Sequence, residues 1–102
     1  MLAFTIYKAD DVRITAGGEH IATFRKTPHS HRKFCARCGG HLMVDIPVKG
    51  LVDVYAAALP TLKFTPMVHS HYAETVLPIR DGLPKLKDFP KSFGGSGEFI
   101  PE

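Results

Sequence analysis

Both cysteines of this 102-residue chain fall in one short run, Phe34-Cys35-Ala36-Arg37-Cys38-Gly39-Gly40. Two thiols two residues apart, followed at once by glycine, have the shape of a zinc knuckle. A tight turn brings both thiolates onto one tetrahedral ion, and glycine takes the left-handed backbone the turn needs. Cys35 and Cys38 are therefore the candidate metal ligands, and zinc is the candidate ion. Two other readings compete for the pair. A thioredoxin-like redox dithiol also uses Cys-x-x-Cys, but its second cysteine sits in the first turn of a helix, which Gly39-Gly40 would break. A pair of small buried core residues would need no metal at all. The spacing and the glycines predict zinc.

Zinc takes four ligands and the pair supplies two. The remaining candidates are His20, His29, His31, His41, His69 and His71. His29 and His31 have strand spacing, and the same parity runs through Lys33 to Cys35, so a His29/His31/Cys35/Cys38 cluster is one arrangement to test. His69 and His71 form a second pair on one strand face. Against each stands the plainer reading of a solvated or hydrogen-bonded strand residue. Ligation by His29 and His31 also requires the strand before the knuckle to curl back, which extended geometry resists. The expectation is a site that is empty or partly occupied unless a second copy of the chain lends its own pair. No residue is assigned a catalytic role.

Elements that would position the pair are read from period-two alternation. Leu2 to Tyr7 alternates, and Val12 with Ile14 continues a second short strand before a Gly17-Gly18 turn. His20 to Arg25 reads as a third strand, ended by Pro28. A fourth begins near His31 and runs into Phe34. Beyond the glycines, Leu42, Val44 and Ile46 alternate, Pro47 and Gly50 make a turn, and Leu51 to Leu59 is a long apolar strand. Met67 to Thr75 reads as the last strand. The knuckle then lies at a hairpin tip. Eight prolines and nine glycines leave few helix-length windows unbroken. The fold class is all-β, a small antiparallel sheet domain. From Pro78 onward the chain reads as extended coil pinned by Leu83, Leu86 and Phe89, with residues 91–102 a mobile tail around Gly94-Gly95-Ser96-Gly97.

Composition sets the outer bounds. An apolar content of 44% with 23% charged residues describes a folded chain, read as a single domain over residues 1–102. No apolar run approaches the ~20 residues of a membrane helix. The start, MLAFTIYKADD, has no basic leader and too short an apolar stretch for a signal peptide. The expectation is a soluble cytoplasmic protein with no membrane partner. Net charge is +3, with Lys and Arg spread along the sequence, and a nucleic-acid surface would show a denser stripe. No nucleic-acid partner is expected.

The run Gly18-Glu19 to Arg25, then Arg32-Lys33-Phe34-Cys35-Ala36-Arg37-Cys38-Gly39, resembles the glutathione-dependent formaldehyde-activating (GFA) family. Val52-Asp53-Val54, Tyr72-Ala73-Glu74, Leu77-Pro78, Asp81-Gly82-Leu83-Pro84-Lys85, Asp88-Phe89-Pro90 and Gly94-Gly95-Ser96-Gly97 extend the likeness along nearly the whole chain. The same domain type occurs in centromere-protein-V-like proteins, so the resemblance does not by itself fix a function. It implies a tent-like all-β zinc domain. Family members carry a structural zinc held by two early cysteines and a later Cys-x-x-Cys, and a catalytic zinc held by three further cysteines. Only the later pair has a counterpart here, at Cys35 and Cys38. By the resemblance the chain corresponds to the C-terminal two-thirds of the family domain, with the upstream cysteine segments falling before Met1.

The activity implied is that of a carbon–sulfur lyase, joining glutathione and formaldehyde as S-hydroxymethylglutathione. A small thiol such as glutathione is then the implied partner, and homo-oligomers are compatible with the sequence. The catalytic cysteines have no equivalents, so no turnover above the spontaneous rate is expected of this chain. The alternative is a non-catalytic zinc-stapled module that binds a partner through a sheet edge or groove. A redox dithiol is a third reading.

Overall fold

Alternating residues become strands where a neighbouring segment supplies hydrogen-bond partners. In the computed structural model, which describes residues 2–101, five segments meet this condition. They are β1 (Phe4–Lys8), β2 (Ile21–Thr27), β3 (Ser30–Cys35), β4 (His41–Ile46) and β5 (Leu51–Tyr55). They form one sheet in the order β1-β5-β4-β3-β2, antiparallel at every pairing. The helical segments among the described residues are 3-10 turns of three residues each. The expected mostly antiparallel β architecture is found, and no described helix is long and apolar enough to cross a membrane.

Contacts divide the chain into two compact units, Met1–Phe64 and Thr65–Glu102. The first holds the sheet. Directly paired residues share a face, so the register defines rows across all five strands. One face carries Ile6, Asp53, Val44, Arg32 and Phe24 as a single row. On the other face Val52 and Val54 are buried, at 4% and 3% exposure, and anchor the sheet's apolar packing. β5 lies between β1 and β4, so its branched valines meet neighbours on both sides.

Three expected strands come out differently. Residues 12–14 form no strand: β1 closes through a 3-10 turn at Ala9–Asp11, and the Ala9 N–H donates to the Gly50 carbonyl at 2.9 Å. Val12 and Ile14 are left without a paired segment. The Leu51–Leu59 strand stops at Tyr55, and Ala56–Ala58 turns as 3-10, since alanine contributes little to a strand surface. Met67–Thr75 is not a strand. Only His69 makes a bridge, to Lys85, and His71 at φ +52° turns the chain into the 3-10 turn Tyr72–Glu74.

The second unit is held by loops rather than a sheet. Leu86 is buried, its N–H donates to the His69 carbonyl at 2.7 Å and its own carbonyl accepts from Tyr72 at 2.9 Å. Leu83 and Phe89 are half-buried. The Gly94–Gly97 run, read from its composition as mobile, is bonded at every residue. Gly94, Gly95 and Gly97 donate to Lys91, Pro90 and Phe89 carbonyls, and Ser96 donates through both N–H and hydroxyl to Asp88 Oδ1 at 3.0 and 2.8 Å. A Cβ at Gly95 would collide with the Phe89 carbonyl, so only glycine lets the loop close this tightly.

Candidate metal centre

β3 ends at Cys35 and β4 begins at His41, so residues 36–40 must reverse the chain in a short loop. The Gly39 N–H donates to the Cys35 carbonyl at 2.7 Å, and the Cys35 N–H donates to the Gly40 carbonyl at 2.8 Å. Gly39 supplies the left-handed backbone at φ +78°, as its place after Cys-x-x-Cys required. The Ala36 N–H donates to the His20 carbonyl at 2.7 Å and ties the loop to the entry of β2. Leu42 is an extra residue in β4, because Lys33 pairs with Met43 while Phe34 pairs with His41. This bulge bends the hairpin end where the loop begins.

The loop aims polar hydrogens at sulfur. The backbone N–H groups of Cys38 and Arg37, the Cys38 side chain and the charge of Arg37 surround the Cys35 thiol. Together, with the Cys38 N–H first among them, they hold the Cys35 thiol below its ordinary pKa against the opposing pull of burial. The Gly40 N–H in turn donates to Cys38 Sγ at 3.4 Å. Both cysteines are free, Cys38 exposed and Cys35 half-buried. No helix follows Cys38. The arrangement favours thiolate at Cys35, and thiolate is the form that ligates metals and attacks electrophiles.

Of the histidines considered as further ligands, the fold separates the pairs. His29 lies in the turn between β2 and β3, while His31 is in β3 and pairs with Arg25 and Asp45. His31 and Cys35 share a face, but four strand residues put them roughly 13 Å apart. The His29/His31/Cys35/Cys38 cluster is therefore not formed, and the described residues hold no group of three or more His, Cys, Asp and Glu side chains placed to share a metal. His69 and His71 do not share a strand face either: His69 Nε2 lies 2.6 Å from Asp81 Oδ2, and the His71 ring stacks at 5.0 Å on Phe89.

Two groups of titrating residues escaped the sequence reading. Asp81 bridges His69 and Lys85, with Lys85 Nζ 2.9 Å from Oδ1, and Oδ1 also accepts the Leu83 N–H at 3.1 Å. The His69 contact first, then Lys85 and the Leu83 N–H, hold the Asp81 carboxyl well below the usual carboxylate range. The Asp-Gly of a turn was the available signal for the Leu83 bond; the rest needed the fold. Asp53, central in the sheet, has Oδ1 buried with no partner, and burial pushes its carboxyl up to about 6.

Fold and site together define a small antiparallel β chain with a two-thiol hairpin loop and a polar-braced second unit. Compared with models of protein families, with curated proteins and with solved structures, the chain matches none.

Proposed function

We propose that this chain is a zinc domain of the GFA type, in which Cys35 and Cys38 hold one edge of a structural zinc ion. The observation that carries the reading is the tight β3–β4 loop, closed by Gly39 at φ +78° with its N–H on the Cys35 carbonyl, that holds the two thiols of Cys-x-x-Cys and donates the Gly40 N–H to Cys38 Sγ at 3.4 Å. N–H groups aimed at sulfur stabilise the thiolate without competing for the metal, and two thiolates on a tight loop suit half of a tetrahedral sphere. When bound, zinc would cross-link the hairpin end. The GFA resemblance adds the expectation of carbon–sulfur lyase chemistry with a small thiol such as glutathione and formaldehyde, which in that family takes cysteines beyond these two.

The second reading is a non-catalytic zinc-stapled binding module, in which a second copy of the chain or further ligands would complete the sphere that Cys35 and Cys38 begin. Titration with Co(II) tests the shared part. Sulfur-to-cobalt charge-transfer absorption is expected, with its loss in Cys35→Ser; a titration without those bands would refute the knuckle. Zinc-loaded chain mixed with glutathione and formaldehyde then separates the two readings. Saturable acceleration over the spontaneous adduct supports the lyase, and its absence supports the module.

A further inference from the structure

Residues 20–44 contain Arg25, Lys26, Arg32, Lys33 and Arg37 but no Asp or Glu. Along the sequence these cations look scattered. The β2–β3 pairing folds them onto one hairpin, with Phe24 directly opposite Arg32 and Arg25 directly opposite His31. Lys33 is paired with Asp45 at 3.5 Å, whereas Arg25, Lys26 and Arg32 are exposed and enter no ion pair among the described residues. β2 is an edge strand of the sheet. The register shift between Arg25 and Thr27 makes Lys26 a bulge residue, which turns its side chain away from the ladder.

The same hairpin displays aromatic surface. Phe24 is 56% exposed on the edge strand, where a phenylalanine contributes little to burial. Phe34 lies on the same face, two residues along β3 from Phe24's partner Arg32, so the two positions are diagonal neighbours with backbones roughly 7–8 Å apart. With Arg32, Gly39 and His41 they line an open cleft of about 380 Å³. A second cleft is lined by Arg25, Lys26 and His31 at the hairpin's other end. Phe24, Phe34 and Arg32 share one face, while Arg25 faces the other side of the strand and Lys26 sits at the bulge on the β2 edge. Rings beside a cation, with further cations at the edge, suit sequence-tolerant stacking of unpaired bases with phosphates held alongside.

We propose that the β2–β3 hairpin binds single-stranded nucleic acid, with Phe24 and Phe34 stacking bases, Arg32 engaging a phosphate on the same face, and Lys26 and Arg25 engaging phosphates where the bound strand passes over the β2 edge. A duplex cannot present its base faces to the phenylalanines, so the unpaired strand is the favoured partner. None of these side chains is a knuckle ligand, although Gly39 of the knuckle loop borders the cleft. Along the sequence the site's cations are spread, because pairing across the hairpin, not proximity along the chain, assembles them.

The test is fluorescence anisotropy of a labelled twelve-nucleotide oligothymidine with the full chain. Binding at low salt is expected to weaken with a log–log slope of about −2, as ~0.7 per phosphate gives for three contacts. Arg25→Glu with Lys26→Glu should abolish it. Phe24→Ala should weaken it roughly tenfold while Phe24→Trp retains it, as loss of one stacked base requires. A blunt duplex of equal length should bind more weakly. No binding at low salt would overturn the proposal, as would capture only of a small aromatic carboxylate by the cleft. Binding that Phe24→Ala leaves unchanged and heparin matches would also overturn it, because that is plain polyanion attraction. Cys35→Ser should keep the oligonucleotide while losing cobalt, so the two proposals fail separately.

Discussion

Asp53 stands in a row between Ile6 and Val44, where an aliphatic residue would pack without penalty. Its Oδ1 is buried with no partner, and desolvation raises its pKa from 3.8 to about 6. An acid whose folded pKa exceeds its unfolded one binds more protons when folded. Its stabilising share is therefore complete below pH 4 and is lost as pH rises through about 6. Asp53→Asn removes the buried charge while keeping the shape. It is expected to raise stability at pH 7 by about 1 kcal/mol, a figure reduced for the water that still reaches this half-buried group. Urea midpoints at several pH values check this: the gain should shrink towards zero at pH 4. A variant less stable than the parent at every pH would mean the carboxylate has a favourable partner in solution. A carboxyl placed this way reads in the sequence as an ordinary strand Asp, since only the register shows its aliphatic neighbours.

At the scale of elements, the β3–β4 hairpin sets the geometry of the thiols, and Gly39 sets the hairpin. A Cβ at Gly39 would meet nothing within 4 Å, so the consequence of Gly39→Ala is purely that of left-handed backbone, about 1–2 kcal/mol. The loop should relax to relieve it, loosening the Gly39 N–H bond to the Cys35 carbonyl and the donors around the Cys35 thiol. Expected outcomes are a fall of a few degrees in Tm, a higher Cys35 pKa by thiolate absorbance, and weaker Co(II) binding with both cysteines intact. Unchanged cobalt affinity would show that the N–H donors are not needed to hold the metal. This hairpin was legible because Phe34, the two cysteines, the glycines and the Leu42-Val44-Ile46 alternation all pointed to the same turn. Residues 12–14 and 67–75 misled because alternation reports which residues could face a core, and not whether a partner segment is there to pair with. The Ala56–Ala58 turn was hidden by apolar side chains equally at home in a strand. The histidine pairs failed on a related point, since spacing in the sequence fixes parity only while the chain stays extended, and His29 and His71 both sit where it turns.

On the scale of the whole molecule, the second unit depends on charge in a way the first does not. Its described residues from Thr65 onward form no sheet, and the Lys85 side chain within it is 1% exposed. A buried ammonium persists only if its charge is met, and Asp81 meets it at 2.9 Å while also holding His69 at 2.6 Å. The Lys85 Nζ donates further to the Leu83 carbonyl at 2.9 Å. Removing Asp81 charge should therefore be worse than removing the pair. Asp81 is an acid whose folded pKa is depressed, chiefly by His69 and then Lys85. Its stabilising share is present above the ordinary 3.8 and is lost as pH falls through its much lower folded value. Asp81→Asn should lower Tm by several degrees at pH 7, and the gap to the parent should narrow as the parent is acidified below about pH 3. Adding Lys85→Met to Asp81→Asn should recover part of the loss, since a well-packed apolar chain needs no counter-charge. A double variant no better than Asp81→Asn would show that the Asp81 carboxylate acts through His69 and the Leu83 N–H rather than by neutralising Lys85. Thermal melts of the parent and the two variants at about pH 7 and about pH 2 distinguish these outcomes, because only charge compensation predicts both the recovery and the convergence in acid.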